Sequence, residues 1–191
     1  MAHFKRFSEH DDRSAHAGPA VSVPRRDDAR IRLRPAGPDD AATVAEIWRA
    51  GWREAHMGRV PTELVTARTD ESFCARASEA VPKTTVAMVG AELAGFVMLS
   101  GEEVEQQYVG ASHRGTGVAD RLLRHAERMI RAAGHAIAWL AVVPGNGRAR
   151  RFYERMGWTD DGPFEHLAPA DDGPIPVPSH RYVKRLHEAN R

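Results

Sequence analysis

The chain has 191 residues, 42 % of them hydrophobic and 28 % charged, with a formal charge of +1 at pH 7. These are the proportions of an ordinary soluble protein of one domain, or one domain with a tail, long enough to bury a core without staples. A single cysteine, Cys74, excludes an internal disulfide and a zinc site built from several thiolates, and the near-neutral total gives no overall reason to expect nucleic-acid binding.

Residues 1–29 mix five bases with five acids and few apolar side chains, a composition that cannot offset the entropy of ordering and is expected to form a disordered tail. The opening MAHFKRFSEHDD lacks the apolar stretch of a signal peptide, and no apolar run approaches the ~20 residues of a membrane span, so a cytoplasmic, membrane-free protein is expected. The folded domain is placed at 30–187. Ile31-Arg32-Leu33-Arg34 alternates as a half-buried strand. Asp39 or Asp40 is suited to cap a helix that turns Ala41, Val44, Ile47 and Trp48 inward and ends at Gly51. Trp52 to Pro82 is polar and helical, with Pro61 fit to start a second helix. Thr84–Val89 and Leu93–Leu99 form a hairpin around Gly90-Ala91-Glu92, and Val104–Val109 is a further strand.

A long amphipathic helix follows. Val118, Ala119, Leu122, Leu123, Ala126, Met129, Ile130 and Ala133 recur at three and four, with Asp120–Arg124 and Glu127–Arg131 paired on the wet side and Gly134 as the stop. Ala136–Val143 is apolar enough for a central strand covered on both faces. A short helix from Asn146 to Met156 buries Ala149, Phe152, Tyr153 and Met156. A strand opens at Trp158-Thr159, the Asp-, Gly- and Pro-rich stretch 161–178 reads as a loop, and His180–Leu186 closes the sheet. The order is that of one mixed α+β domain rather than an alternating parallel repeat.

Two segments carry chemistry. Arg114-Gly115-Thr116-Gly117-Val118-Ala119 joins a strand to the start of the long helix. Its glycines permit a tight turn that aims several N–H groups at one point, and the helix N-terminus adds unpaired donors suited to phosphate oxygens. It lacks the Gly-Lys-Ser/Thr end of a P-loop and the third glycine of a dinucleotide fingerprint. In Asn146-x-x-Ala149-x-x-x-Tyr153-Glu154-x-x-Gly157-Trp158, seven residues make about two turns, so Asn146 and Tyr153 share a helical side. Taken alone, a capping Asn and a packed Tyr explain this segment.

Together the segments resemble the GNAT superfamily of N-acetyltransferases. Arg114-x-x-Gly117-x-Ala119 is similar to that family's pyrophosphate loop, the Asn146–Trp158 segment to its second signature, and Gln107-Tyr108-Val109 to the end of its fourth strand. The resemblance implies a mostly antiparallel sheet of six or seven strands flanked by helices and splayed between strands 4 and 5. It implies acetyl-CoA as co-substrate, held by Tyr108, Val109, Arg114, Gly115, Thr116, Gly117, Val118, Ala119, Asn146 and Tyr153, and transfer of acetyl to a primary amine of a small molecule or protein in a ternary complex. The amide of Val109 would steady the oxyanion and Tyr153 would protonate the thiolate. Glu103 or Glu105 is suited to take the amine's proton, directly or through water, and Glu105 is the one assigned. The alternative is a catalytically silent acyl-CoA sensor of the same fold. Gly110-Ala111 stands where many members have an acidic residue and proline. Trp52, Arg53, Glu54 and His56, and across from them Phe164, Glu165 and His166, are expected as walls of an acceptor pocket. The scattered histidines give no metal site. Dimers are common among proteins of this kind, so a homodimer is possible. Nine arginines and three acids lie between Arg114 and Arg155, so the neutral total hides a basic surplus on the two helices expected to flank a polyanion.

Overall fold

The computed structural model describes residues 31–186; the expected tail at 1–29 lies outside the described residues. The chain runs β1 (Ile31–Pro35), α1 (Ala41–His56), α2 (Thr62–Ala67), α3 (Asp70–Glu79), β2 (Thr84–Val89), β3 (Glu92–Ser100), β4 (Glu103–Val109), α4 (Val118–Ala132), β5 (Ile137–Val142), α5 (Gly147–Arg155), β6 (Thr159–Ala168) and β7 (Ile175–Arg185). Seven strands form one sheet in the order β1-β2-β3-β4-β5-β7-β6. Every neighbouring pair is antiparallel except β4–β5, which is parallel and joined at a single register pair, Glu103 with Trp139. The expected splay is therefore present, and it lies at the middle of the sheet.

The pleat divides the core in two. Ala87 and Val97 face Leu122, Leu123, Ala126 and Ile130 of α4 on one side of the sheet. Their strand neighbours Val86, Phe96 and Met98 face Val44, Trp48 and Phe73 of α1 and α3 on the other. Alternate residues of one strand thus serve two layers of helix.

Several expectations are corrected. Gly51 does not end α1, which continues to His56. A Cβ at Gly51 would lie 2.3 Å from Cδ1 of Tyr108, so the glycine is there to let the Tyr108 ring approach the helix. Asp40 caps no amide of α1; its carboxylate accepts from Gly37 N–H at 2.7 Å and from both terminal nitrogens of Arg34. Met129 is half exposed rather than inward. Glu127 is not on the wet side, because its Oε1 accepts from Trp158 Nε1 at 2.9 Å and Lys184 Nζ at 2.8 Å, tying α4 to β7. β5 buries one face only: Ala138, Leu140 and Val142 are inside, while Ile137 is 43 % exposed. The stretch 161–178 is mostly β6 and the start of β7, and the loop shrinks to residues 169–174. α5 buries none of its own residues; Ala149, Phe152 and Tyr153 are only partly covered, and Ala149 and Tyr153 border a cleft.

Candidate active site

Where β4 and β5 part, the sheet opens into a cleft of about 380 Å³. Its walls are the inner ends of the two strands, α5, the second half of α1, and the β6–β7 hairpin. The open strand edges follow from the hydrogen-bond pattern. Gly110 N–H donates to Ala94 C=O at 2.9 Å, toward β3. Successive backbone amides of a strand point to opposite sides, so the N–H of Val109 faces the gap. Trp139 N–H donates to Glu102 C=O at 3.1 Å, and the same alternation turns the Ala141 amide toward the gap from the other side.

α5 is held rigidly at the rim. Asn146 Oδ1 accepts from Ala149 N–H at 3.1 Å and so caps the helix. Arg150 donates from Nε to the Tyr182 hydroxyl at 3.1 Å and from Nη2 to Asp160 at 2.9 Å, and that hydroxyl donates to Glu154 at 3.0 Å. This network fixes Tyr153, whose ring lies 6.0 Å from Trp158 and 6.2 Å from Tyr182. Tyr153 borders the cleft, and burial pushes its hydroxyl above the ordinary phenol range. Tyr108 is raised likewise, by burial first and then by Tyr153.

The loop before α4 has Gly115 at φ 77° and Gly117 at φ 90°, a left-handed conformation that favours glycine. Gly117 is the N-cap residue, and the amides of Val118, Ala119 and Asp120 in the first turn have no intrahelical acceptor. Thr116 Oγ1 donates to His113 C=O at 2.7 Å within the loop, and Gln107 Nε2 donates to Ala119 C=O at 3.0 Å, which ties the first turn of α4 to β4. Glu54 of α1 lies against this loop. Its carboxylate receives both terminal nitrogens of Arg114, at 3.0 and 3.1 Å, and stands 3.6 Å from Arg148.

The carboxylates at the foot of β4 differ. Glu105 is ion-paired with Lys83. Glu103 has no such partner among the described residues; burial, and next the charge of Glu105, raises it to about 7. His56 stacks on Trp52 with ring centroids 5.0 Å apart, its Nδ1 is 3.0 Å from Trp52 C=O, and burial lowers it to about 4, so it is neutral at pH 7.

Of the residues singled out from the sequence, the cleft brings together Glu103, Glu105, Tyr108, Asn146 and Tyr153, with Trp52, His56 and His166 on its walls. Arg114 to Ala119 lie beyond its lining, as do Val109, Arg53, Glu54, Phe164 and Glu165. Phe164 instead packs on Trp139, with Arg181 over both rings. The basic surplus is divided: Arg124, Arg128 and Arg131 border a separate hollow with Lys184 and Arg185, away from the glycine loop. Arg68, Arg76 and Lys83 line the cleft and were not anticipated. Arg68 and Arg76 come from the polar helical stretch and Lys83 from the turn that follows it, where nothing in local sequence distinguishes a solvated cation from one turned inward. Among the described residues no group of His, Cys, Asp and Glu is arranged to hold a metal ion.

This architecture, a sheet splayed beside a glycine-rich turn and a short capped helix, is that of an acyl-CoA-dependent transferase fold. Residues 41–158 match the acetyltransferase (GNAT) family model, and the chain belongs to that family. Over 92 residues it is 37 % identical to the streptothricin acetyltransferase of Streptomyces lavendulae, a match covering 44 % of this chain and 48 % of that protein, so the chain spans about half the length of this curated relative. The fold is shared with a GCN5-related N-acetyltransferase from Rhodopseudomonas palustris (TM-score 0.63, 23 % identity, 81 % of this chain and 95 % of that one). It is shared also with the PaiA N-acetyltransferase of Thermoplasma acidophilum in complex with coenzyme A (TM-score 0.60, 18 % identity, 81 % and 98 %). YncA from Salmonella typhimurium, solved with its cofactor acetyl-CoA, is a third (TM-score 0.59, 16 % identity, 84 % and 96 %). Among the described residues no helix is long and apolar enough to cross a membrane.

Proposed function

We propose that the protein transfers the acetyl group of acetyl-CoA to a primary amine by direct attack within a ternary complex. The observation that carries this reading is the meeting, in one cleft, of a protonated phenol on a rigid helix and a carboxylate with raised proton affinity beside an open strand edge. The glycine loop offers amides for the pyrophosphate, and the edges of β4 and β5 offer backbone groups to the pantetheine arm. Glu103, alone or relayed through Glu105, accepts the proton of the amine as its nitrogen bonds to the carbonyl carbon. The Val109 amide donates to the carbonyl oxygen while it carries charge. As the carbon–sulfur bond breaks, the Tyr153 hydroxyl gives its proton to the sulfur, and the products are an N-acetyl amine and coenzyme A. No covalent enzyme intermediate is required, and Cys74 lies exposed on α3.

The test is release of free coenzyme A from acetyl-CoA on adding primary amines, with streptothricin among them because of the relative above. Tyr153→Phe is expected to lower kcat by roughly 100-fold or more, the scale of positioned acid–base catalysis. Its Kd for coenzyme A, measured by calorimetry, is expected to stay within about twofold, since the ring remains. Equal turnover by the variant removes Tyr153 from the reaction. Cofactor binding with no turnover of any amine favours a silent sensor.

A further inference from the structure

The cleft is lined by two arginines that the proposed acetyl-transfer chemistry leaves unused. Arg68, at the end of α2, is 7 % exposed, and its Nη2 donates to the carbonyl of Pro169 at 2.6 Å. Arg76, on α3, has its guanidinium 4.8 Å from the centre of the Trp48 ring. Both line the cleft. By contrast, half-buried Lys184 pairs with Glu127 and half-buried Arg150 with Asp160, and within the cleft itself Lys83 pairs with Glu105. Neither Arg68 nor Arg76 has an acidic partner at ion-pair distance among the described residues. Asp171 acts on both, and Glu105 and Glu79 on Arg76, only at longer range.

Two like charges facing one cavity repel each other and have lost much of their water. Burial, and then Arg76, depresses Arg68 to about 10; burial depresses Arg76. An arrangement of this kind is unfavourable in isolation and becomes favourable when an anion enters with its hydrogen bonds satisfied. Planar guanidinium groups fit carboxylates and other oxyanions in particular. The position is specific too. Tyr108 lines the same cleft as Tyr153 and feels the charge of both arginines, so the pair lies within electrostatic reach of the strand that carries the proposed chemistry. The glycine loop and Arg148, which suit a pyrophosphate, are outside this cavity.

We propose that Arg68 and Arg76 form an anion subsite in the acceptor pocket, and that the amine acetylated is a small molecule that also carries a carboxylate or similar oxyanion. The proposal rests on the acetyl-transfer reading and adds to it the class of acceptor. Glu103 and Glu105 then face the ammonium end and the arginine pair the anionic end, so the pocket is matched to a zwitterion.

The experiment compares ω-amino carboxylates of three to six carbons with their ω-amino amides, matched in length, in the coenzyme A release assay. At the best length the carboxylate is expected to exceed its amide by about 10- to 100-fold in kcat/KM, the scale of hydrogen bonds to a charged group. In Arg76→Gln that ratio should fall toward one through a rise in KM for the carboxylate, and in Arg76→Glu the preference should pass to cadaverine. Arg68→Lys, which keeps the charge but loses the fork, should show an intermediate ratio if Arg68→Gln does not fold. Amides used as well as carboxylates at every length overturn the anion subsite while leaving acetyl transfer standing. A changed Kd for coenzyme A in Arg76→Gln also overturns it, by assigning the pair to the cofactor. If no amine of either kind is acetylated, glutarate titrated into the coenzyme A-loaded protein reads the same subsite: binding that Arg76→Gln abolishes supports it, and no binding to the parent protein refutes it.

Discussion

Glu103 and Glu105 are two residues apart on one strand and face one cavity, yet their surroundings differ. Lys83 takes the charge of Glu105, while Glu103 is left beside it in a poorly hydrated place and holds its proton to about 7. A general base acts in its deprotonated form, and a raised pKa means that this form is scarce below 7 and complete above it. The expected pH profile of kcat/KM therefore climbs about tenfold per unit below neutrality and levels above a midpoint near 7. Glu103→Gln should abolish that limb and Glu105→Gln should retain it; the reverse result would return the base to Glu105. From sequence the pair could be named and Glu105 was assigned; what favours Glu103 instead is the pairing of Lys83 with Glu105 and the burial of Glu103, both supplied by tertiary packing. That Asn146 caps α5 and that it shares a helical side with Tyr153 was legible because both follow from two turns of one helix. Arg68 and Arg76 were not, since only packing turns them inward.

At the scale of elements, α1 shows how a local rule yields to a neighbour. A glycine in mid-helix is normally improved by alanine, by about 1 kcal/mol. At Gly51 the added methyl would meet the Tyr108 ring at 2.3 Å, so the sign should reverse. Gly51→Ala is expected to cost about 1–3 kcal/mol, as overpacking does, and to lower Tm by roughly 2–4 °C per kcal/mol in a chain of this size. A Tm at or above that of the parent would show that the ring moves aside freely. Reading Gly51 as a stop was reasonable from composition alone, because close approach by a residue 57 positions away leaves no local trace. The β6–β7 hairpin was hidden for a related reason. Its prolines argue against paired strand, but Pro163 lies on β6, the edge of the sheet, and Pro176 and Pro178 belong to the part of β7 that extends past β5. β5 pairs only with His180 to Arg185, so each proline has a free side for its missing N–H.

Over the whole molecule, the order of strands, the amphipathic period of α4 and the hairpin of β2 and β3 were legible because each repeats over many residues. The charge surplus was legible along the chain but not in space: Arg114 and Arg148 meet Glu54, Arg150 meets Asp160, and the later arginines of α4 serve another surface. The one backbone rung between Glu103 and Trp139 has a mechanical meaning. Four strands on one side and three on the other form two plates hinged at that rung, braced on one face by α4, which touches β1 through β5. In the free protein the amides of Val109 and Ala141 should exchange with deuterium faster than those within β2 and β3, and acetyl-CoA should slow them by about tenfold or more. Equal protection with and without it would mean that the plates are already locked. Such edges, elsewhere an invitation to a neighbouring chain, are here turned toward each other inside a cleft, where the thing able to bridge them is narrow and extended. A ligand of that shape would complete the sheet as it binds, so the cohesion of the two halves would rise and fall with each turnover.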